Sequence, residues 1–382
     1  MNKKEFETSL LRQARVTEDM IRCVYDSVTR QLDEALPMKE IFDAQKIFIT
    51  GCGDSWLAGI ACKAAFESIT KIETYPMRAI EFSRHLSGKN LGYSPNTPMV
   101  LVISYSGEAT RAVECAQRAT ARGANTIAIT NNPNSRLAKA CNHVVCVGLP
   151  EGGEYFPGGT TYNASMTALM LIAMRVGRAR NTISGEDYED MRAELLSFTH
   201  AVQEKVEQYD DAAFELAQKW KDLRCIDFIG DYSDYATAFF GSAKVIETYG
   251  GYTTYDDSED WCHINYFLSQ PETIGRVVIT NKSTPSYGRV QETLAAVKLL
   301  ESPCMVVSDA EAKEFPQGFA VFTTPTPKYF WLNPLLQHLP FDLVSGYIAA
   351  MKGETAFRDG IEAFQTPLGQ NRLKNGTEIT IV

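Results

Sequence analysis

Residues 99–123, MVLVISYSGEATRAVECAQRATARG, constrain the fold more than any other stretch of this chain. The five-residue run Met99–Ile103 is too short for an interior helix, and its Val, Leu and Ile content reads as a buried strand. The run stops at Ser104-Tyr105-Ser106-Gly107. Ala109, Ala112, Val113, Ala116 and Ala119 then recur at helical spacing up to a basic turn and Gly123. The unit is therefore a strand, a short hydroxyl-rich turn and a helix. A helix N-terminus presents unpaired N–H groups and the positive end of the peptide dipole. With Gly107 admitting close approach and serines adding donors, such a turn suits a phosphate. On this turn alone, an ordinary serine-capped connection is an equal reading.

A second turn of the same kind lies upstream. The apolar strand Lys46–Thr50 runs into Gly51-Cys52-Gly53-Asp54-Ser55 and then a helix from Trp56 to about Ser68. Trp56 stands where the third glycine of a dinucleotide fingerprint belongs, and no acidic residue closes a second strand at the expected distance, so no NAD site is read. Two polar turns at the carboxyl ends of parallel strands point instead to one shared phosphate pocket.

With 382 residues the chain has room for two domains, each with its own core. A formal charge of −10 and only five histidines argue against nucleic acid as a partner, because no basic surplus exists to neutralise a phosphate backbone. A small anion is still acceptable, since a local seat of N–H groups does not depend on overall sign. No apolar run reaches the roughly 18 residues of a membrane span, and MNKKEFETSLLRQARVTEDM has no signal-type apolar core. Nine dispersed cysteines, an odd number with several in apolar segments (Cys62, Cys115, Cys225), fit reduced thiols and a cytoplasmic location. The cluster Cys141-Asn142-His143-Val144-Val145-Cys146 reads as a strand with alternating faces and has no second cluster at zinc spacing. No metal site is expected from it.

Taken in order, residues 1–36 form an amphipathic helical segment with Leu10, Leu11, Ile21, Val24, Val28 and Leu32 on its apolar side. Residues 37–180 alternate strands (46–50, 72–76, 99–104, 125–130, 143–147) with helices (56–68, 79–87, 108–122, 134–141, 162–178). Residues 181–221 are a charged helical linker. Residues 222–355 resume the alternation, with strands at 225–230, 252–255, 276–281, 304–308 and 320–322, helices at 235–249 and 287–300, and a long apolar helix from Leu332 to Met351. A tail, 356–382, follows. The expected fold class is α/β: two tandem doubly wound, mainly parallel sheets with flanking helices, joined by a helical segment. In the second half Asn281-Lys282-Ser283-Thr284 takes the place of the Ser-x-Ser-Gly turn.

Two such halves carrying CGDS, SYSGE and TNNPNSRLAKACNHVV resemble the sugar isomerase (SIS) domain superfamily. The pattern is similar to the isomerase part of the glucosamine-6-phosphate synthases and to their phosphosugar isomerase and deglycase relatives. The resemblance runs over nearly all of residues 37–355. It implies that Ser55, Ser104, Tyr105 and Ser106, with Gly53 and Gly107, hold a sugar phosphate. The family's threonine after the glycine falls on Ala109, with Thr110 next, so that contact is absent or moved to Thr110. Glu81-Phe82 matches a recurring pair, and Glu154, Thr160 and Thr161 fall where the family lines the sugar. In the second half, Gly241-Ser-Ala-Lys244-Val-Ile-Glu247 matches the family's Gly-x-x-Lys-x-x-Glu helix, and His263 lies sixteen residues after Glu247, as the family's ring-opening histidine does. Departures are Ile264-Asn265 in place of Gly-Pro after the histidine, and Phe240 in place of an acid. The resemblance implies Lys374 as the counterpart of a C-terminal lysine that closes the site.

Lys244 and Glu247 share a helix face, and a carboxylate beside a lysine can be held ionised as a proton shuttle. An exposed ion pair is the commoner fate of this spacing. On the implied scheme His263 opens the ring, Glu247 moves a proton between C1 and C2, and Lys244 steadies developing oxyanion charge, without metal or organic cofactor. The start Met1-Asn2-Lys3 offers no N-terminal cysteine nucleophile, so glutaminase activity is not expected of this chain. The acids Asp256, Asp257, Glu259 and Asp260 read as a solvated loop or, facing a pocket, as a preference for a cationic amine. That tilts the expectation to a deglycase or deaminase releasing an amine from a 6-phospho-ketosamine. An aldose–ketose phosphosugar isomerase is the alternative. A non-enzymatic phosphosugar sensor comes last, because residues 1–36 are too short and too weakly basic for a DNA-binding helix-turn-helix. A homodimer or higher homo-oligomer is expected from the resemblance, with His263 reaching a neighbouring subunit.

Overall fold

In the computed structural model the described residues are 2–91, 98–364, 376 and 378–381. Three helices open the chain: α1 (Ser9–Arg15), α2 (Thr17–Ala35) and α3 (Met38–Asp43). The first alternating series is β1 (Ile47–Gly51), α4 (Asp54–Thr70), β2 (Thr74–Arg78), β3 (Met99–Ile103), α5 (Thr110–Ala121), β4 (Asn125–Thr130), α6 (Arg136–Ala140) and β5 (His143–Cys146). Helices α7 (Gly159–Ala179), α8 (Gly185–Gln203) and α9 (Val206–Trp220) follow. The second series is β6 (Cys225–Gly230), α10 (Ser233–Tyr249), β7 (Tyr252–Asp256), α11 (Ser258–His263), β8 (Ile274–Ile279), α12 (Tyr287–Leu299), β9 (Cys304–Ser308), β10 (Ala320–Thr323) and α13 (Leu339–Lys352).

The strands form two five-stranded sheets, ordered β2-β1-β3-β4-β5 and β10-β9-β8-β6-β7, with every pairing parallel. Central strands β1, β3, β4, β8 and β9 are buried along their whole length, the signature of sheets covered on both faces. In each sheet the chain steps one way from the founding strand and then back past it, so the order reverses between β1 and β3 and between β6 and β8. Open α/β sheets bind ligands at the carboxyl ends of the strands beside such a reversal.

The chain divides into two compact units that are discontinuous in sequence. The first-sheet unit gathers residues 19–153, 161–193 and 362–382; the second-sheet unit gathers 1–18, 154–160 and 194–361. Core residues of the first include Phe48, Phe82, Val100, Val102, Val113 and Leu137, and those of the second include Ile229, Trp261, Val278, Leu294 and Val306. The apolar positions Leu10, Leu11, Ile21, Val24, Val28 and Leu32 of the N-terminal helices are all buried. Helix α1 packs on α13 within the second-sheet unit, while Ser27 and Gln31 of α2 bond the Cys146 carbonyl of β5 within the first.

Three expectations are corrected. The single helix Leu332–Met351 is broken: a 3-10 segment occupies Phe330–Leu335 and α13 starts at Leu339. Pro334 and Pro340 lack the amides an unbroken helix needs, and Pro340 is tolerated because it falls in the first turn of α13. The helix at 79–87 is present but ends two residues early and is π-type over Glu81–His85, where buried Arg118 takes the carbonyls of Phe82 and Leu86. Asp257 to His263 is not a loop. Asp257 caps α11 by accepting the amides of Glu259 (2.9 Å) and Asp260 (2.8 Å).

Candidate functional site

The first crevice lies where β1 and β3 end. Their last residues, Gly51 and Ile103, are register partners. A Cβ on Gly51 would meet the Ser55 Cβ at 2.6 Å and the Ile103 carbonyl at 2.9 Å, so only glycine lets the two turns abut and brings Ser55 beside Ser104. Gly53, at φ +55°, turns the chain into α4. Both α4 and α5 start without a side-chain cap, from Gly53 and Ala109. In α4 the Ser55 and Trp56 amides donate to the Cys52 and Gly53 carbonyls, so it is the start of α5 that offers amides to an occupant of the crevice. The turn itself is fixed from behind. The Ser104 amide donates to the Ile129 carbonyl (3.1 Å), the Asn131 amide to the Tyr105 carbonyl (2.9 Å) and the Gly107 amide to the Ser104 carbonyl (3.0 Å). Ser104 is buried, Tyr105 half-buried and Ser106 exposed.

Thr110 is buried and its hydroxyl donates to the Gly376 carbonyl, which commits its proton to the chain's end. The end segment is anchored on α5: Arg111 donates to the Glu378 carbonyl and the Thr380 amide to Glu114 (2.9 Å). Burial pushes the Glu114 carboxyl up, but Arg84, the Thr380 amide, Ser83 and Arg111 outweigh it and hold it down at about 2. Lys374 lies outside the described residues. Glu81 is exposed, and Phe82 packs edge-on against Phe48 in the core. Thr161 of the first-sheet unit is buried in the first turns of α7.

In the second-sheet unit, Lys244 and Glu247 are one turn apart on α10, and the Lys244 Nζ is bonded to the Glu247 carboxylate. Lys244 has 0% side-chain exposure and Glu247 28%. The Lys244 Nζ also lies 4.5 Å from the Phe240 ring centre, so Phe240 supplies a cation–π face where an acid was expected. Thr248, the next residue, lines a cavity of about 310 Å³ with Glu154, Glu7, Glu354 and Asp359. Glu154 pairs with Arg12, and the Thr160 amide donates to Gln13 Oε1 (2.9 Å). The structure therefore brings Glu154 to the same end of α10 as Glu247.

His263 does not join them within this unit. Ser233 starts α10 at the carboxyl end of β6, and Glu247 is 14 residues on, about 21 Å along a helix that runs back against the strands. His263 follows β7 on α11, at the carboxyl end of the sheet. It is 68% exposed, with Nε2 3.1 Å from Glu259, whose carboxyl lies below its ordinary range because of His263 and Arg289. Its segment is firmly held. Buried Asp227 of β6 accepts Trp261 Nε1 (2.7 Å), Asn265 Nδ2 (3.0 Å), Thr254 Oγ1 and the buried Arg276 guanidinium. Trp261 and Asn265 stand two residues either side of His263. Sequence reasoning missed this node, although an acid and an arginine at the same register of two interior strands, Asp227 and Arg276, were visible as a signal.

A second crevice, of about 680 Å³, opens where β6 and β8 end, lined by the turns that follow them and by the start of α11. All nine cysteines are free. No described helix is long and apolar enough to cross a membrane.

The SIS domain model matches residues 40–175. The glutamine–fructose-6-phosphate aminotransferase [isomerizing] of Clostridium tetani is 26% identical over 316 residues, covering 81% of this chain and 49% of its own. That of Halobacterium salinarum is 24% identical over 329 residues, covering 84% and 52%. The chain thus spans about half the length of these curated relatives. Among solved structures, the C-terminal domain of glucosamine-fructose-6-phosphate aminotransferase from Francisella tularensis superposes with TM-score 0.81 at 16% identity, covering 93% of this chain and 99% of that one. Tagatose-6-phosphate ketose/aldose isomerase from Escherichia coli gives 0.71 at 16%, covering 93% and 95%. Glucosamine-6-phosphate deaminase from Thermotoga maritima gives 0.68 at 15%, covering 95% and 98%. At these identities the likeness establishes the fold.

Proposed function

This chain contains an SIS domain over residues 40–175, and on that premise we propose that it binds a sugar 6-phosphate in the first crevice and moves a proton between C1 and C2 of that sugar. The observation that carries the reading is Lys244, an ammonium without solvent exposure held against a part-exposed Glu247. A surface ion pair of the ordinary kind keeps both partners in water. A buried cation beside a part-exposed carboxylate suits proton transfer, with Glu247 as base and Lys244 stabilising the oxyanion that forms. The uncapped start of α5, with Ser55, Ser104, Tyr105 and Ser106, holds the phosphate.

The acidic lining beside Thr248, made of Glu7, Glu154, Glu354 and Asp359, favours a substrate that carries an amine. Arg12, Arg15 and Arg358 offset part of that charge. The acids near His263, by contrast, are taken up locally: Asp257 caps α11, and Glu259 pairs with His263 and Arg289. We therefore assign a 6-phospho-ketosamine as substrate, with release of the amine and a hexose 6-phosphate. Because His263 and Glu247 lie at opposite ends of the second sheet, His263 serves the site of a second copy as the ring-opening acid–base, which makes the active form a homo-oligomer.

The test is mass spectrometry of products from the full chain incubated with a panel of 6-phospho-ketosamines. Free amine that disappears in Glu247→Gln supports the reading. Interconversion of ketose and aldose phosphates without amine replaces it with an isomerase. Tight sugar-phosphate binding without turnover replaces it with a sensor.

A further inference from the structure

The second crevice repeats the backbone of the first and lines it with more acids and with aromatic rings. A Cβ on Gly230, like one on Gly51, would strike the first turn of the following helix (Asp234 carbonyl, 2.6 Å), so the chain approaches equally closely. The residue before α4 is Gly53 at φ +55°, ψ −127°; the residue before α10 is Tyr232 at φ +54°, ψ −113°. Position by position, Cys52 is replaced by Asp231, Gly53 by Tyr232, Asp54 by Ser233 and Ser55 by Asp234.

The exchange of Asp54 for Ser233 removes an acid and Asp234 is buried outside the lining, so the charge that repels phosphate here comes from Asp231 and from Asp257 at the start of α11. Asp231 and Asp257 both face the cavity, and no cation pairs with either among the described residues. Their hydrogen bonds come from neutral donors, the Ser258 amide and hydroxyl for Asp231 and helix amides for Asp257. Glu259 on the same wall is cancelled by Arg289 at 2.7 Å. Carboxylate oxygens of Asp256 and Asp260 lie within 4.8 Å of Asp257, and burial together with these two neighbours pushes the Asp256 carboxyl up. At the mouth are two aromatic rings, Tyr232 (52% exposed) and Phe330 (40% exposed). The wall also carries hydroxyls. Ser286 Oγ is closed to solvent and has no hydrogen-bond partner among the described residues. Tyrosine in a backbone conformation that favours glycine is strained, and such strain persists where the surroundings impose it.

We propose that the second crevice binds a hydroxylated primary amine that carries no phosphate. Its ammonium lies between the uncompensated carboxylates and the aromatic faces, and its hydroxyls meet those of the turn after β8. The nature of the ligand follows from sign. The same fold position that receives an anion in one sheet receives a cation in the other.

The experiment titrates the full chain with glucosamine and with N-acetylglucosamine, its uncharged analogue, followed by calorimetry and ligand-observed NMR. Glucosamine is expected to bind at least tenfold more tightly than the N-acetyl form. Tyr232→Gly, which removes the ring and relaxes the backbone, and Asp257→Asn, which keeps the helix cap and removes the charge, are each expected to weaken it at least fivefold. Ser106→Ala, in the first crevice, is expected to leave it unchanged. Equal binding of the two sugars overturns the proposal, as does loss of binding in Ser106→Ala with Tyr232→Gly unaffected. Displacement of glucosamine by millimolar Ca²⁺ in the parent but not in Asp257→Asn assigns the acids to a metal and overturns it too. Binding is read without turnover, so this result and the fate of the proposed reaction are independent.

Discussion

The two crevices are built on one backbone plan and differ almost entirely in side-chain charge. In the first, a pair of glycines, a free cysteine, serines and a single acid, Asp54, surround two uncapped helix starts. In the second, aspartates and aromatic rings surround two helix starts, those of α10 and α12, that also lack side-chain caps. Each founding helix carries one acid in its first turn, Asp54 in α4 and Asp234 in α10, and the second crevice adds Asp231 and Asp257 to its lining. Duplication of a fold duplicates its backbone N–H groups, but a few side chains decide whether an anion can use them.

The largest effect that sharpens this contrast is catalytic. Glu247→Gln is expected to lower kcat by roughly 10²–10⁴-fold in the ketosamine assay, whereas Ser106→Ala is expected to raise KM with kcat little changed. A fall in kcat from both would erase the division between an anchoring first sheet and a reacting second one. Next come the buried acids that organise each unit. Asp227→Ala strands Arg276, which has no exposure, and is expected to cost about 3–5 kcal/mol in denaturant unfolding. Glu114→Gln is expected to cost less, because Arg84 and Arg111 keep 26% and 25% of their side-chain exposure and can turn to water.

Asp234 gives the second crevice a pH dependence that Ser55 cannot give the first. Burial raises its carboxyl from 3.8 to about 7, against the opposing hydrogen bonds of Gln337 and Asn281. The folded chain thus holds a proton there that the unfolded chain has released. Stability falls as pH climbs from about 4 to about 7, by no more than about 4 kcal/mol. Asp234→Asn is expected to flatten that decline in urea midpoints measured between these pH values, and an unchanged slope would refute the assignment. The smallest effect concerns the paired turns. Tyr232→Gly is expected to stabilise the chain by about 1 kcal/mol, and Gly53→Ala to destabilise it by about as much, since both positions share one left-handed backbone geometry. A loss from both substitutions would mean that the Tyr232 ring contributes more to packing than its backbone costs.

Much of this plan was legible in the chain itself. Apolar runs bounded by polar turns marked every strand to within two residues, and Cys304–Ser308 coincides at both ends. The two strand–turn–helix units of the first sheet and the place of Asn281-Lys282-Ser283-Thr284 in the second were readable from pattern. What escaped depends on contacts distant in sequence. The carbonyls that halt the turn after β2 are taken by Arg118, more than thirty residues on. Asp227 is an unremarkable strand residue until Trp261, Asn265 and Arg276 converge on it. The break before α13 was foreshadowed by Pro334 and Pro340, which the apolar character of that stretch outweighed. The kinship of Gly53 and Tyr232 is invisible in letters, because only backbone angles reveal it.

The second-sheet unit takes its N-terminal piece from residues 1–18. Arg15 donates to the Tyr347 hydroxyl (3.2 Å), which in turn donates to Asp210 (2.7 Å), closing a loop of 332 residues. Leu10 and Leu11 therefore find cover only when α13, far along the chain, has folded against α1. A cut after residue 18 would thus strip a greasy stripe of its partner in the second-sheet unit, although the first-sheet unit is its neighbour in sequence.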